Sequence, residues 1–261
     1  RADLAAASVG LASLHGADLS GAILEQTELT GACLSNAVLD GARSSGARFH
    51  EADLSGASMT RADFTRAQFA RCDMRCANLS HSDLSQAAVS DIDLRTTIFT
   101  SCGMRRVRLT NCRAVGLALN ACDCKEAVLS RCDLSATVMR GANLGGAFFT
   151  ECGLADVDWQ DADLRKASFI RCSFHAGSSR SGLVDSTIAS EGTRTGFYTD
   201  DYDAQDHRAP EEIRKANLCG CDLRGAAFGD LDFYLVDLRG AKYSAAQEAW
   251  FRKCRAILGR L

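Results

Sequence analysis

Large apolar side chains recur at every fifth position along most of this chain of 261 residues. In GADLSGAILEQTELTGACLSNAVLDGA, residues 16–42, leucine occupies every fifth place, and a small residue lies two places before each leucine. The leucines are Leu19, Leu24, Leu29, Leu34 and Leu39. A period of five matches neither the 3.6-residue turn of an α-helix nor the two-residue alternation of a strand. It predicts a chain that turns a corner after every quintet, with the central and the small side chain inside.

A second period of 20 residues is superimposed on the first. Phe49 and Phe69 are 20 residues apart, as are Phe149 and Phe169, and all four are central residues of their quintets. Cysteines repeat at the same interval in the small position, at Cys112, Cys132, Cys152 and Cys172. Four quintets make one square coil, so residues 20 apart lie on adjacent coils. We therefore expect one internal column of aromatic rings and another of thiols.

Quintets such as ADLSG (residues 17–21 and 52–56), ANLSH and ADLRK resemble those of the pentapeptide-repeat family. The resemblance extends over most of the chain. It implies an all-β solenoid, a right-handed quadrilateral β-helix with four pentapeptides per coil. It says much less about function, because the repeated residues are those of the core.

The phase of the repeat predicts four segments. Residues 1–190 form the main β-helix, with a one-residue shift of phase after Phe174 before the pattern restarts at Leu183 and Ile188. Residues 191–213 lack the repeat and contain the single proline, which indicates a projecting loop. Residues 214–243 form the final coils, and residues 244–261 form a C-terminal helix.

The C-terminal helix is predicted to cap the solenoid. Ser244 and Gln247 have the spacing of a capping box, and a helical stripe of apolar residues follows. The last coil of a solenoid exposes unpaired backbone groups and core, which a cap covers. An alternative, implied by the family resemblance, is that this element forms a homodimer contact. The candidate residues for cap or dimer are Trp250, Phe251, Ile257 and Leu258.

The projecting loop is the candidate partner-binding segment, because aromatic residues stand beside carboxylates there. The candidate residues are Phe197, Tyr198, Asp200, Asp201, Tyr202, Asp203 and Asp206. A solvated acidic loop is the alternative. A calcium loop is disfavoured, since Asp206 stands where an EF-hand requires glycine.

We expect neither catalysis nor a bound cofactor or metal. The inward positions are apolar and the sequence lacks the phosphate-binding, nucleophile-elbow and zinc-protease motifs. The cysteine column places thiols along a line, whereas structural zinc needs four ligands around a point. We interpret these cysteines as reduced core residues of a cytoplasmic protein.

The charge pattern bears on the partner. The net charge is −3, which gives no general attraction to nucleic acid or to an anionic membrane. No apolar run is long enough to span a bilayer and no leader is evident, so we expect a cytoplasmic bacterial protein. If it is part of an effector, export without a cleavable signal peptide is the alternative.

The leading functional hypothesis is a non-catalytic protein–protein interaction scaffold. Because the sequence opens inside a quintet, it is interpreted as the C-terminal part of a larger bacterial adaptor or effector. The family resemblance implies an alternative, a DNA-mimicking protein that binds DNA gyrase and protects it from quinolones or peptide-like toxins. Outward arginines such as Arg61, Arg66 and Arg71 favour the scaffold, since a DNA mimic needs acidic faces.

Overall fold

The computed structural model describes residues 2–176, 214–229 and 231–260. These residues form a parallel β-solenoid, in which backbone bridges join residues 20 apart from Asp3 and Ile23 up to Gly153 and Ser173. The central and small residues of the quintets fill the interior. The predicted coil of four quintets is thereby confirmed.

One of the four faces carries regular strands. Its seven strands pair in chain order, all parallel and in register, and neighbouring residues are 20 apart. They are β1 (Arg48–His50), β2 (Gln68–Ala70), β3 (Ala88–Ser90), β4 (Arg108–Thr110), β5 (Val128–Ser130), β6 (Phe148–Thr150) and β7 (Ser168–Ile170). The other faces are joined by single bridges between coils. The rod therefore has one continuous narrow sheet along its side.

Hydrogen bonds between coils and a tight corner explain the quintet. The amide of the central residue Leu24 donates to the carbonyl of Arg43 on the next coil at 2.7 Å. The amide of Ile23 donates to the carbonyl of Ala2 on the preceding coil at 2.9 Å. The corner residue two places after the centre is left-handed, with φ of 60° at Gly21 and 56° at Gln26. Glycine adopts this conformation without steric cost, which explains its frequency at the corner.

Polar residues in the small position have a common structural role. Several of them donate the side-chain proton to the carbonyl of the central residue 23 positions earlier. Ser82 Oγ lies 2.6 Å from the Met59 oxygen, Thr97 Oγ1 lies 2.9 Å from Met74, and Cys102 Sγ lies 2.9 Å from Leu79. A cysteine here is thus a compact core residue that also satisfies a buried carbonyl.

The predicted column of aromatic rings is present as two separate stacks, with aliphatic residues between them. The rings of Phe49 and Phe69 are stacked with centroids 4.8 Å apart, and those of Phe149 and Phe169 are likewise 4.8 Å apart. Trp159 packs edge-on against Phe149 at 5.8 Å. The spacing of the rings is the spacing of parallel strands, as expected for side chains stacked on successive coils.

The stack of coils continues on both sides of residues 177–213, which lie outside the described residues. Asn217 pairs with Asp158, 59 positions earlier and not 20, so the quintet around Leu218 stacks directly on the quintet around Trp159. The predicted extension of the main β-helix to residue 190 lies outside the described residues and stays a prediction, while the quintets from residue 216 onward occupy the next coil of the described stack.

The chain segments before and after residues 177–213 lie side by side. Strand β8 (His175–Ala176) pairs antiparallel with β9 (Arg214–Lys215). Ring stacking then continues across the junction, since Phe228 lies 5.8 Å from Phe169. The aromatic core is therefore continuous through this point.

The C-terminal helix α1 (Ala245–Lys253) begins as predicted and ends early. Ser244 forms the predicted capping box with Gln247. The helix does not extend to residue 261, because Ile257 pairs with Asp237 and the chain adds a further quintet to the solenoid. Backbone hydrogen bonds to the open edge of the preceding coil outweigh continuation of the helix. In the described residues, no helix is both long and apolar enough to cross a membrane.

Candidate interaction surface

The predicted partner-binding loop lies outside the described residues. This applies to all seven of its candidates: Phe197, Tyr198, Asp200, Asp201, Tyr202, Asp203 and Asp206. They remain a prediction. The described structure locates only the strands on either side of this segment, β8 and β9.

The C-terminal candidates divide into core and surface. Phe251 is fully buried and packs on Phe233 at 4.7 Å and on Phe228 at 5.6 Å, so it closes the end of the aromatic core. Leu258 is half-buried against the same core. Ile257 is 37% exposed and Trp250 is half-buried. Phe251 is therefore buried within the cap, whereas Trp250, Ile257 and Leu258 keep part of their surface exposed, and a dimer contact through them stays a prediction.

Ten of the thirteen cysteines are buried thiols, whereas Cys76 is exposed and Cys33 and Cys172 are half-buried. None forms a disulfide, and no group of three or more potential metal ligands occurs within the described residues. Burial raises the pKa of Cys72 to about 11 and that of Cys102 to about 12. Such thiols are poor nucleophiles at neutral pH.

The aspartates of the repeat are structural groups. Asp63 Oδ1 accepts the amide proton of Thr65 at 2.9 Å, and Asp83 Oδ1 accepts that of Ser85 at 2.8 Å. Each carboxylate thus satisfies a backbone amide at the corner that follows it. This bond explains why the residue before the centre is so often Asp or Asn, and it accounts for much of the acidity of the chain.

Several of these carboxylates are also neutralised within their own quintet. Arg165 Nε donates to Asp163 Oδ1 at 2.9 Å and Nη2 donates to Oδ2 at 2.6 Å, a bidentate pair. The hydrogen bonds from Arg165 hold the pKa of Asp163 below its ordinary value. The same pairing occurs in Asp73–Arg75, Asp93–Arg95, Asp222–Arg224 and Asp237–Arg239.

Other ion pairs connect one coil to the next. Arg106 Nε lies 2.6 Å from Glu126 Oε2, and Arg171 Nη1 lies 2.9 Å from Glu151 Oε1. In both pairs the residues are 20 apart and occupy the corner column. Positive and negative side chains therefore alternate along the rod at these places.

Two large apolar side chains are exposed on neighbouring strands of the sheet, in a diagonal arrangement across the β6–β7 pair. Phe148 on β6 is 49% exposed and Ile170 on β7 is 47% exposed. Val128 on β5 is the register partner of Phe148 and is half-buried. We call Val128, Phe148 and Ile170 the β5–β7 patch. It lies on the last coils before β8.

This patch was not among the predicted sites, although the sequence contains a signal for it. In the quintet AFFTE the residue before the centre is Phe148, where the repeat usually has a polar residue. In ASFIR the residue after the centre is Ile170. Both positions point outward in the quintet pattern, so a large apolar residue there is a departure that the core does not require.

Comparisons with known proteins identify the same repeat. The family model for pentapeptide repeats (8 copies) matches residues 2–43, 45–80, 77–113 and 213–242, and the model for the pentapeptide repeat region matches residues 102–176. Among curated proteins, no sequence match was found.

Two solved structures are similar to this chain over most of its length. HetL, a pentapeptide repeat protein involved in heterocyst differentiation regulation from the cyanobacterium Nostoc sp. Strain PCC 7120, is 24% identical, with 92% of this chain and 86% of that chain covered and a TM-score of 0.42. QnrB1, a plasmid-mediated fluoroquinolone resistance protein, is 15% identical in a trypsin-treated form, with 97% of this chain and 90% of that chain covered and a TM-score of 0.41. On the family models, which together span most of its length, the chain belongs to the pentapeptide-repeat family.

Proposed function

We propose that this chain is a non-catalytic scaffold that binds another protein through the outer surface of its solenoid. The observation that carries the proposal is the β5–β7 patch, where Phe148 and Ile170 are about half exposed on neighbouring strands. Large apolar side chains that are exposed on neighbouring strands of an otherwise polar surface are a feature of protein-binding sites. Their aromatic and branched side chains are of the kind that anchors interfaces.

Many polar groups of the described chain have structural partners. Asp63 and Asp83 accept corner amides, and the thiol of Cys102 donates to a buried carbonyl. Catalysis requires polar groups that converge on a substrate in a concave site. Groups that are spread along a rod and engaged with its own backbone favour a binding role.

The charge arrangement favours the scaffold over a DNA mimic that binds gyrase. A mimic of duplex DNA needs carboxylates that present unneutralised negative charge, as phosphates do. Here Asp73, Asp93, Asp163, Asp222 and Asp237 are each paired with an arginine of the same quintet.

The proposal is tested by affinity capture with the full chain, with crosslinking and quantitative mass spectrometry. The variant Phe148→Glu places a carboxylate in the centre of the patch. Its matched control is Ile98→Glu, which makes the same kind of change at a side chain 45% exposed on another face. Both positions are outward, so both variants are expected to fold, which circular dichroism checks.

The expected result is a captured protein that is lost with Phe148→Glu and kept with Ile98→Glu. A partner lost with both variants, or with neither, would argue against the patch as the binding site. A supercoiling assay with gyrase and a fluoroquinolone decides the alternative. Protection of gyrase at low micromolar protein would replace the scaffold proposal with the gyrase-binding one.

A further inference from the structure

The surroundings of the β5–β7 patch are positively charged. Arg108 is the register partner of Val128, so it adjoins the patch in the same outward column. Arg131 follows β5 directly, and Lys166 lies two residues before β7. All three side chains are exposed. The patch therefore has cations on the preceding coil and at both corners of its face.

None of these three cations has a counter-ion among the residues that the structure describes. Within the described part of the chain, Arg108, Arg131 and Lys166 form no ion pair and no side-chain hydrogen bond. The other arginines in the same three columns each have a side-chain acceptor. These pairs are Arg48–Glu28, Arg66–Gln86, Arg71–Glu51, Arg106–Glu126 and Arg171–Glu151. On this face, the cations left available to a ligand are therefore those that border the apolar patch.

The backbone of the sheet restricts how a ligand can bind there. Strands β2 to β6 have a hydrogen-bonded strand on each side, and Ser168 of β7 pairs with Ala227 beyond it. A partner therefore cannot add a strand to this sheet by pairing with its backbone. It must lie on the outer face and be recognised by side chains.

We propose that the β5–β7 patch, with Arg108, Arg131 and Lys166, binds an acidic segment of another protein in which an aromatic or aliphatic anchor is flanked by Asp or Glu. The anchor covers Phe148 and Ile170, and the carboxylates pair with the cations. This inference rests on the proposed scaffold function and specifies the chemistry of its partner. The charge complementarity also predicts faster association at low salt.

A random peptide library displayed on phage, selected on the full chain, tests this chemistry without a known partner. Selected peptides are then synthesised and their dissociation constants measured by fluorescence anisotropy. We expect the selected sequences to combine an aromatic or branched apolar residue with neighbouring Asp or Glu. Binding should weaken at least about tenfold with Phe148→Glu and with Arg108→Glu, and should weaken as the salt concentration rises.

Two control variants separate this site from general effects of charge and apolar surface. Ile98→Glu changes an exposed apolar residue on another face, and Arg61→Glu changes an exposed arginine on another face. Both should bind the selected peptides as the unmodified chain does. Equal weakening by Arg61→Glu and Arg108→Glu would overturn the proposal, because only net charge would then matter.

Three further outcomes would also overturn it. They are the selection of no peptide, the selection of apolar peptides without acidic residues, and the binding of the selected peptides to Phe148→Glu at full strength. The scaffold function is judged separately by affinity capture. A captured partner that depends on another face would leave that function standing and refute only the acidic-ligand site, whereas capture of no specific partner would remove the function itself.

Discussion

Replacing Ser44 with alanine should stabilise the protein, although the change removes an atom from its core. Ser44 is a central residue, fully buried, in a position that most quintets fill with a large apolar side chain. Its hydroxyl is the one buried side-chain oxygen or nitrogen of the described residues that has no hydrogen-bond partner. An unsatisfied buried polar group costs about 1–3 kcal/mol, and losing one oxygen forfeits a few dispersion contacts. We therefore expect Ser44→Ala to raise the free energy of unfolding by about 1–2 kcal/mol.

The same substitution at Ser82 should have the opposite sign. Ser82 is equally buried, but its hydroxyl accepts the amide of Ala62 at 3.1 Å and donates to the carbonyl of Met59 at 2.6 Å. The Ser82 hydroxyl thus stands between the amide of Ala62 and the carbonyl of Met59. In other quintets the corresponding amide donates directly to the carbonyl, as the Ala57 amide does to the Leu54 carbonyl at 3.0 Å. Ser82→Ala removes two satisfied hydrogen bonds, and the turn can recover one by closing directly. The expected loss is about 1 kcal/mol.

Urea denaturation followed by far-ultraviolet circular dichroism measures both variants against the unmodified chain. The two variants have identical composition, so the pair isolates hydrogen-bond satisfaction from side-chain size and propensity. Native-state hydrogen exchange of the amides around residues 44 and 82 checks that each effect is local, since solenoids respond coil by coil. Destabilisation by Ser44→Ala, or an equal shift in both variants, would refute the reasoning.

Other consequences of the structure can be measured separately. Ser244→Ala removes the capping box and should destabilise α1 by about 1 kcal/mol, seen as faster hydrogen exchange of the helix amides and not of the distant coils. In timed alkylation followed by mass spectrometry, exposed Cys76 should react before buried Cys102, whose pKa is raised to about 12, and equal rates would contradict the core assignment. Hydrogen bonds from Arg224 lower the pKa of Asp222 below its ordinary 3.8. The stability that this pair contributes is therefore complete above pH 3.8 and is lost as the pH falls below it, so Asp222→Asn should make acid unfolding less steep.

The sequence predicted the coil well because each quintet repeats the same local physics. A large residue at the centre and a small one two places before it leave only one arrangement that buries both. Phe49 and Phe69 confirm this, since a spacing of 20 in the sequence became a stack at 4.8 Å. The capping box of Ser244 was predictable for the same reason, because it depends on residues three apart.

The predicted C-terminal end of the helix was wrong, because two periods compete for the same residues there. Trp250, Cys254, Ile257 and Leu258 fit a helical stripe, but Ala256 and Leu258 also fit a quintet, with the small residue two places before the large one. Pairing of Ile257 with Asp237 decides in favour of the quintet, because it satisfies the open backbone edge of the preceding coil. Which coil edge is available is a property of the assembled solenoid, and the local pattern does not contain it.

The outward residues were less predictable than the core for a related reason. The quintet fixes that Phe148 and Ile170 point outward, but their proximity depends on the strand register, which pairs Phe148 with Ser168 and so places Ile170 diagonally across from Phe148. Likewise, Arg106 and Glu126 meet only because residues 20 apart share a corner. A surface site in a solenoid is thus assembled from several coils, and it can be identified only when the stacking is known.

The stacking register makes a last prediction about residues 177–215. Joining Ala176 directly to Ala216 would place Leu218 five residues after Phe174, which restores an unbroken repeat. The pairing of β8 with β9 already brings the two ends of this join close together. We expect the shortened chain to keep the circular dichroism spectrum and to melt within a few degrees of the full chain. Deleting residues 177–216 is the matched control, because one more missing residue moves every later side chain out of phase and should unfold the final coils. If both deletions fold equally well, the register does not hold these coils in place; if neither folds, residues 177–215 are needed for the stack itself.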